Sequence, residues 1–259
     1  GKIYKDKIRP YIPGEGEALK EELEKVEIYM EYAQNKEFTR NINNILSHTK
    51  DLRQSIRKAK SQGILTEVEL FEIKQFLFLI RELDNTLKKH NIPLWEDMKI
   101  SPIKKLEKLL DPENTEIATF YIYDSYSEDL NKIRKSIKRE KRYLKEKLEL
   151  KLNIKLRPDN TIIISKTDEN ALKKLENHSN LNYISETYMN IKYSLKPSNE
   201  INLLERQLLI LKEKEEREEL KIREYLSKKI GKYSKEIFKN MASIGKIDLI
   251  LENIKRPSK

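Results

Sequence analysis

Two long segments carry apolar residues at helical spacing, and they flank a shorter segment with a different pattern. The first covers residues 127–151, and its apolar seam is Leu130, Ile133, Ile137, Leu144 and Leu148. The second runs from residue 198 to about 251, with seam positions from Ile201 through Tyr225 to Ile244. Spacing close to a heptad predicts two long helices that pack along a narrow seam. The second segment, read as one continuous helix, would be roughly 75 Å long at 1.5 Å per residue.

Charged residues fill the middle of the second segment. Residues 212–221 are charged at nearly every position, and the seam positions Glu215 and Glu218 are included. Burying unpaired charges is unfavourable because they lose their hydration. The pattern therefore predicts that this stretch crosses solvent between two packed ends.

The segment between the two helices has strand-like character. Residues 161–165 are rich in β-branched side chains, and residues 190–196 alternate apolar with polar ones. Residues 168–177 are typical of a short helix. These features predict a small α/β insert.

The sequence before residue 124 is predicted to be helical. Thr66 and Glu69 form the spacing of a capping box, and six apolar residues follow at spacings of three and four: Leu70, Ile73, Leu77, Ile80, Leu83 and Leu87. An earlier helix is predicted to bury the face formed by Leu19, Leu23, Val26, Met30 and Ala33. Pro10, Pro13 and two glycines favour an extended segment before it.

The predicted fold is mainly α. We expect a helical bundle as the base, two long antiparallel lever helices, and a small α/β clamp-like insert at their tip. The corresponding divisions are 1–16 (extended N-terminal segment), 17–123 (helical core), 124–152 (first lever helix), 153–198 (insert) and 199–259 (returning lever helix and end of the core).

Positive charge is concentrated on the first long helix. The chain has a formal net charge of +10, which favours an anionic partner such as nucleic acid. Residues 128–157 contain twelve Lys and Arg against five Asp and Glu, whereas residues 200–229 contain eight of each. Five of the basic residues share one stripe: Lys132, Lys135, Arg139, Arg142 and Lys145. A general bias toward lysine would not place the excess on one helix.

These charges give candidate DNA-binding residues. They are Lys138, Arg142 and Lys145 on the first long helix and Lys155, Arg157, Lys166, Lys173, Lys174, Lys192 and Lys196 in the insert. Without a base-reading helix, they predict contacts to the DNA backbone with little sequence preference. The alternative for any one of them is a solvated helix face or a surface for an acidic partner. Tyr183 and Tyr188 are interleaved with them, and we interpret both as strand-packing residues rather than base-stacking ones.

The sequence offers no sign of a catalytic, metal or cofactor site. It has no Gly-rich phosphate-binding loop, its three histidines are far apart, and its carboxylates lie on lysine-rich helices. It has no cysteine and no uninterrupted apolar window of about 18 residues, so we expect no disulfide and no membrane span. We therefore expect a non-catalytic chain that works in the cytoplasm, associated with the nucleoid.

The order of these segments resembles the core, lever and clamp of MutS-family proteins. Local strings agree: residues 51–56 (DLRQSI) and 63–70 (GILTEVEL) are similar to the family's connector and the helix after it. Residues 124–130 (DSYSEDL) are similar to the start of its first lever, and 244–250 (IGKIDLI) to the end of its last lever helix. The insert is short beside the clamp of mismatch-recognising members and is closer to bacterial MutS paralogues with reduced clamps.

The resemblance implies a longer parent protein that contains this chain. Such a parent would carry an ATPase domain with ATP and Mg²⁺ after residue 259, would form a homodimer, and would grip duplex or branched DNA. Its nucleotide state would move the levers and thereby the clamp. The family's Phe-x-Glu mismatch wedge is not found here, so the resemblance does not extend to mismatch reading. The competing interpretation is a helical, coiled-coil-like scaffold with no role in nucleic-acid binding.

Overall fold

The computed structural model describes residues 11–116, 121–152, 156–157, 161–176, 181–196 and 198–255. Over these residues the chain is mainly helical with one small antiparallel sheet, which confirms the predicted fold class. Its α-helices are α1 Gly16–Ala33, α2 Lys36–His48, α3 Arg53–Lys60, α4 Glu67–Lys89, α5 Lys104–Leu110, α6 Glu128–Leu152, α7 Glu169–Glu176, α8 Asn199–Lys232 and α9 Ser234–Lys255. Short 3₁₀ turns cover Glu96–Met98 and Asp124–Tyr126. None of the helices in the described residues is long and apolar enough to cross a membrane.

The described residues form two compact units. The first unit lies within the ranges Gly1–Tyr123 and Lys221–Lys259, and the second unit lies within Asp124–Leu220. Helix α8 contributes residues to both.

Helix α4 forms the centre of the first unit. Its predicted capping box is present: the Glu69 N–H donates to Thr66 Oγ1 at 3.2 Å, and the Thr66 N–H donates to the Glu69 carboxylate at 2.8 Å. All six residues of the predicted apolar stripe are buried. Each such side chain stabilises the fold by about 1.5–3 kcal/mol when removed from water. Helix α4 packs against α2 and α5, so this stripe organises the unit.

Helix α1 buries a different face from the predicted one. Tyr29 is fully buried and stacks near Trp95, and Lys25 is buried beside it. The predicted core positions Leu19, Leu23 and Met30 are instead 39%, 58% and 51% exposed. The prediction was wrong because α1 turns its tyrosine-containing side toward the unit, where it packs against α9 and α2.

The predicted continuous helix after residue 198 is interrupted at Tyr233. Helix α8 ends at Lys232 and α9 begins at Ser234. Just before this break, a Cβ atom added to Gly231 would lie 2.6 Å from the Ala59 carbonyl oxygen of α3. Glycine is therefore required for the close packing of these two helices. The predicted seam also shifts here, because Leu226 is fully buried whereas Tyr225 is 49% exposed.

The sheet of the second unit has three antiparallel strands in the order β1-β3-β2. They are β1 Thr161–Ser165, β2 Leu181–Glu186 and β3 Asn190–Leu195. The sequence predicted β1 and β3, which pair from Thr161 opposite Ser194 to Ser165 opposite Asn190. It did not predict β2, an edge strand whose register shifts at Ile184 and whose residues after Leu181 are exposed.

One hydrophobic core joins the sheet to the flanking helices of the second unit. Its buried members come from the end of α6, the segment before β1 and the sheet: Leu144, Leu148, Leu156, Ile162, Ile164, Leu181 and Tyr193. Ile201, Leu204 and Leu208 of α8 pack against it, as do Ala171 and Leu172 of α7. The sheet is therefore held rigidly on the same core that fixes α6 and α8.

Candidate nucleic-acid interface

The start of α6 is fixed by its cap and its seam. The Leu130 N–H donates to Ser127 Oγ at 3.3 Å, and Glu128 and Asp129 place negative charge in the first turn, where the helix dipole favours it. The predicted seam is buried at Leu130, Ile137, Leu144 and Leu148. Since side chains three and four apart share a face, this seam determines which residues of α6 point away from the unit.

The opposite side carries a row of cations, which we call the outer face of α6. It consists of Lys132, Lys135, Lys138, Arg139, Arg142 and Lys145, of which all but the partly buried Lys145 are exposed. Some have loose intrahelical partners: Lys132 lies 3.9 Å from Glu128, and Lys145 lies 3.8 Å from Glu149. Exposed pairs of this kind contribute about 0–1 kcal/mol and are easily exchanged for another anion.

Three cations of the outer face have no ion-pair partner within the described part of the chain. These are Lys135, Lys138 and Arg142, all exposed. They lie within two turns of helix, so their charges repel one another and favour a polyanion that neutralises several at once. This arrangement makes the outer face the strongest candidate for contact with phosphates.

Arg134 differs from its neighbours because it faces α8. It donates to Glu215 and to Glu219, each at 2.7 Å, and also to Asp124. Burial opposes its charge, but the hydrogen bonds that it donates to these three carboxylates outweigh that effect and raise the pKa of Arg134. The prediction that the charged stretch of α8 crosses solvent was therefore wrong at Glu215, whose side chain is only 25% exposed and paired.

The candidate residues of the insert are spread over the sheet and α7. Lys192 lies on the central strand β3, opposite Ile163 of β1 and Ser185 of β2, and is partly buried. Lys166 follows β1, is exposed, and lies 3.6 Å from Glu186. Arg157 and Lys196 are exposed beside the sheet, and Lys173 is exposed on α7.

The two remaining candidates are Lys174 and Lys155. Lys174 lies in the helical range of α7, and Lys155 lies outside the described residues. The predicted set is thus divided between the outer face of α6 and the insert. Arg139 of the outer face also borders a pocket formed with Ser136, Gln207 and Leu211, but a surface that follows a polymer backbone does not require a pocket.

The two tyrosines of the insert have different environments. Tyr183 lies edge-on to Tyr193 with ring centroids 6.3 Å apart, as a strand-packing residue does, although it is 57% exposed. Tyr188 is 93% exposed at the turn between β2 and β3. The strand-packing interpretation therefore fits Tyr183 and is wrong for Tyr188.

The first unit contains a buried charge network that was not predicted from the sequence. Lys74 is fully buried in α4, where its Nζ donates to Asp111 at 3.0 Å and to the Tyr123 hydroxyl at 2.9 Å. Burial raises the pKa of Asp111, but hydrogen bonds from the Glu116 N–H, Lys74 and Thr115 outweigh it and lower that pKa to about 2. The signal was a lysine within an apolar stripe, which requires a buried partner.

The described residues hold no cluster of His, Asp and Glu suited to a metal ion. The candidate interface presents exposed cations on a helix and a sheet.

Comparison with known proteins gives a weak similarity to a protein with a known name. No model of a known protein family matches the chain. The chain is 26% identical over 262 residues to the protein named Endonuclease MutS2 from Aquifex aeolicus (strain VF5), and the alignment covers 93% of this chain and 31% of that protein. The chain thus spans about a third of its relative's length. This similarity supports a distant relationship to MutS-type proteins.

Proposed function

We propose that this chain contacts the backbone of duplex DNA through the outer face of α6. The observation that carries the proposal is the exposed group of Lys135, Lys138 and Arg142, which lack ion-pair partners among the described residues. A cation that contacts a phosphate releases a condensed counterion, and this release favours binding to a polyanion. Exposed side chains on a helix without base-reading contacts give little sequence preference.

In this proposal, lysines of the insert extend the DNA-contacting surface beyond the outer face of α6. Lys166, Lys192 and Lys196 are carried by a sheet that shares a hydrophobic core with α6. Because one core holds both elements, their charges keep a fixed spacing. A preorganised charged surface loses less side-chain and loop freedom on binding.

The distant similarity supports a MutS-like role for the longer protein that this chain would belong to. In that proposal an ATPase domain binds ATP and Mg²⁺, two copies form a homodimer, and nucleotide-driven movement passes through the long helices to the DNA-contacting surface. Duplex or branched DNA is the proposed partner, and association with the nucleoid would follow from it.

Fluorescence anisotropy with a labelled duplex tests the proposal. The double variant Lys138→Glu with Arg142→Glu is expected to bind at least about tenfold more weakly than the unmodified chain at low salt, since two phosphate contacts become repulsive. Affinity of the unmodified chain should fall steeply between about 50 and 200 mM salt.

A matched control uses Lys228→Glu with Lys232→Glu on α8. Both lysines are exposed, have the same spacing of four residues, and give the same change in net charge. This control is expected to keep most of the DNA affinity. Equal losses in the two double variants would mean that overall charge drives binding, and the proposed interface would be wrong.

A second candidate function is a helical scaffold that binds other proteins. The observation that favours it is the apolar stripe on α1, where Leu19, Leu23 and Met30 are exposed at helical spacing. Contiguous exposed apolar side chains mark interaction surfaces. Absence of salt-dependent DNA binding, together with self-association that Leu23→Lys abolishes in sedimentation experiments, would favour this function instead.

A further inference from the structure

The hairpin of β2 and β3 presents an apolar tip to solvent. Tyr188 is 93% exposed and Met189 is 55% exposed, and Ile184 at the irregularity of β2 is 47% exposed. Large apolar side chains grouped in this way are unfavourable in water unless a partner covers them. The tip is therefore the clearest unexplained surface of the second unit.

The turn that carries Tyr188 is held rigidly. The Thr187 N–H donates to the Asn190 carbonyl at 2.8 Å, and the Asn190 N–H donates to the Thr187 hydroxyl at 3.1 Å. The Lys166 N–H donates to the Met189 carbonyl at 2.8 Å, which ties the tip to the loop after β1. Tyr188 therefore lies on a turn that these hydrogen bonds close.

Two lysine residues lie close to this aromatic tip. Lys166 is joined to it through its backbone, and Lys192 lies two residues after the turn on the central strand. Glu186 is an acidic residue near the tip and is paired loosely with Lys166, and Asp168 and Glu169 follow Lys166 in the chain. An exposed ring on a turn near lysine residues fits a ligand with flat apolar faces and regularly spaced negative charges, which is the chemistry of unpaired nucleotides.

We propose that Tyr188 stacks on an unpaired nucleobase while Lys166 and Lys192 contact the adjacent phosphates. The inference rests on the proposed function and deepens it: α6 contacts paired DNA, and the hairpin tip contacts bases that have left the duplex. Stacking on an aromatic side chain is sequence-tolerant because every base has a π face. The tip therefore distinguishes paired from unpaired DNA without reading sequence.

The test compares the full chain on two probes, a fully paired duplex and the same duplex with an internal single-stranded gap. Tyr188→Ala is expected to lose about tenfold in affinity for the gapped DNA and to bind the paired duplex unchanged. Tyr188→Phe should retain the preference because it keeps the ring, and Tyr225→Ala, which removes a 49% exposed tyrosine of the first unit, should have no effect.

A fluorescent adenine analogue in the gap reports stacking directly. Its emission should be quenched by the unmodified chain and by Tyr188→Phe but not by Tyr188→Ala. Equal affinity of Tyr188→Ala and the unmodified chain for gapped DNA would overturn the inference and leave the proposed function standing. If Tyr188→Ala binds both probes as the unmodified chain does but changes its self-association in sedimentation experiments, the inference is overturned in favour of a protein contact. If the unmodified chain binds neither DNA, both proposals are wrong.

Discussion

The two units of the molecule use positive charge in different ways. In the first unit, Lys74 is fully buried and its charge is matched by Asp111 and the hydroxyl of Tyr123. In the second unit, Lys138 and Arg142 are exposed on α6 without an ion-pair partner among the described residues. A buried cation is retained only if its partners are in place, whereas an exposed unpaired cation contributes little to stability. The contrast separates charges that hold the fold from charges that are free to bind a partner.

Removing Lys74 is the largest expected effect. Lys74→Ala leaves the carboxylate of Asp111 buried without its cation and should lower the free energy of unfolding by about 3–5 kcal/mol. Urea denaturation followed by circular dichroism measures this change. The matched variant Lys138→Ala should stay within about 0.5 kcal/mol of the unmodified chain. A similar small change for Lys74→Ala would show that the buried pair does not stabilise the first unit.

Acid should weaken the same network. The pKa of Asp111 is lowered in the folded state to about 2 from its ordinary value of 3.8. Its contribution is therefore fully present above about pH 4 and is lost as the pH falls toward 2, which amounts to about 2 kcal/mol of unfolding free energy. Denaturation measured across this range should show the loss.

The control for acid sensitivity is Asp111→Asn, which removes the titrating group. Other carboxylates with lowered pKa values, such as Asp51 and Asp97, still titrate in this variant. Its stability should therefore fall less steeply between pH 4 and pH 2 than that of the unmodified chain. Identical slopes in the two proteins would assign the acid sensitivity to those other groups.

Periodicity predicted those elements whose sequence pattern matches their burial. The stripe of α4 from Leu70 to Leu87 was predicted because its spacing matches one buried helix face. The strand β1 was predicted from its β-branched residues, most of which are buried. The edge strand β2 could not be predicted in this way, since Leu181 is followed by exposed residues and a shift in register. Helix α1 has two plausible faces, and the choice of the one with Tyr29 depends on packing against α9 and α2.

The candidate interface was predictable in its location but not in its detail. The excess of Lys and Arg on residues 128–157 is visible in the sequence. Which of them is paired depends on residues far along the chain, because Arg134 bonds to Glu215 and Glu219 more than eighty positions away. The exposure of Tyr188 likewise depends on the hairpin, and β2 was not predicted.

Arg134 and Arg142 allow the contrast between paired and unpaired cations to be tested within one helix. Arg134→Ala leaves Glu215 and Glu219 close together without their shared partner, so it should lower the unfolding free energy by about 1–2 kcal/mol. Arg142→Ala removes an exposed side chain and should change it by no more than about 0.5 kcal/mol. Urea denaturation of both variants gives the comparison. Equal losses would mean that the outer face of α6 also stabilises the fold.

In DNA binding, Arg142→Ala should have the larger effect and Arg134→Ala the smaller one, which is the reverse of their effects on stability. The expected change in affinity is small. Each phosphate contact contributes about one unit to the slope of log affinity against log salt. Arg142→Ala should therefore reduce that slope by about one, because it removes a cation free to contact phosphate. Arg134→Ala should leave the slope unchanged, because Asp124, Glu215 and Glu219 already neutralise its charge. Anisotropy titrations at several salt concentrations measure the slopes. If the slope falls for Arg134→Ala and stays unchanged for Arg142→Ala, the DNA lies on the side of α6 that faces α8.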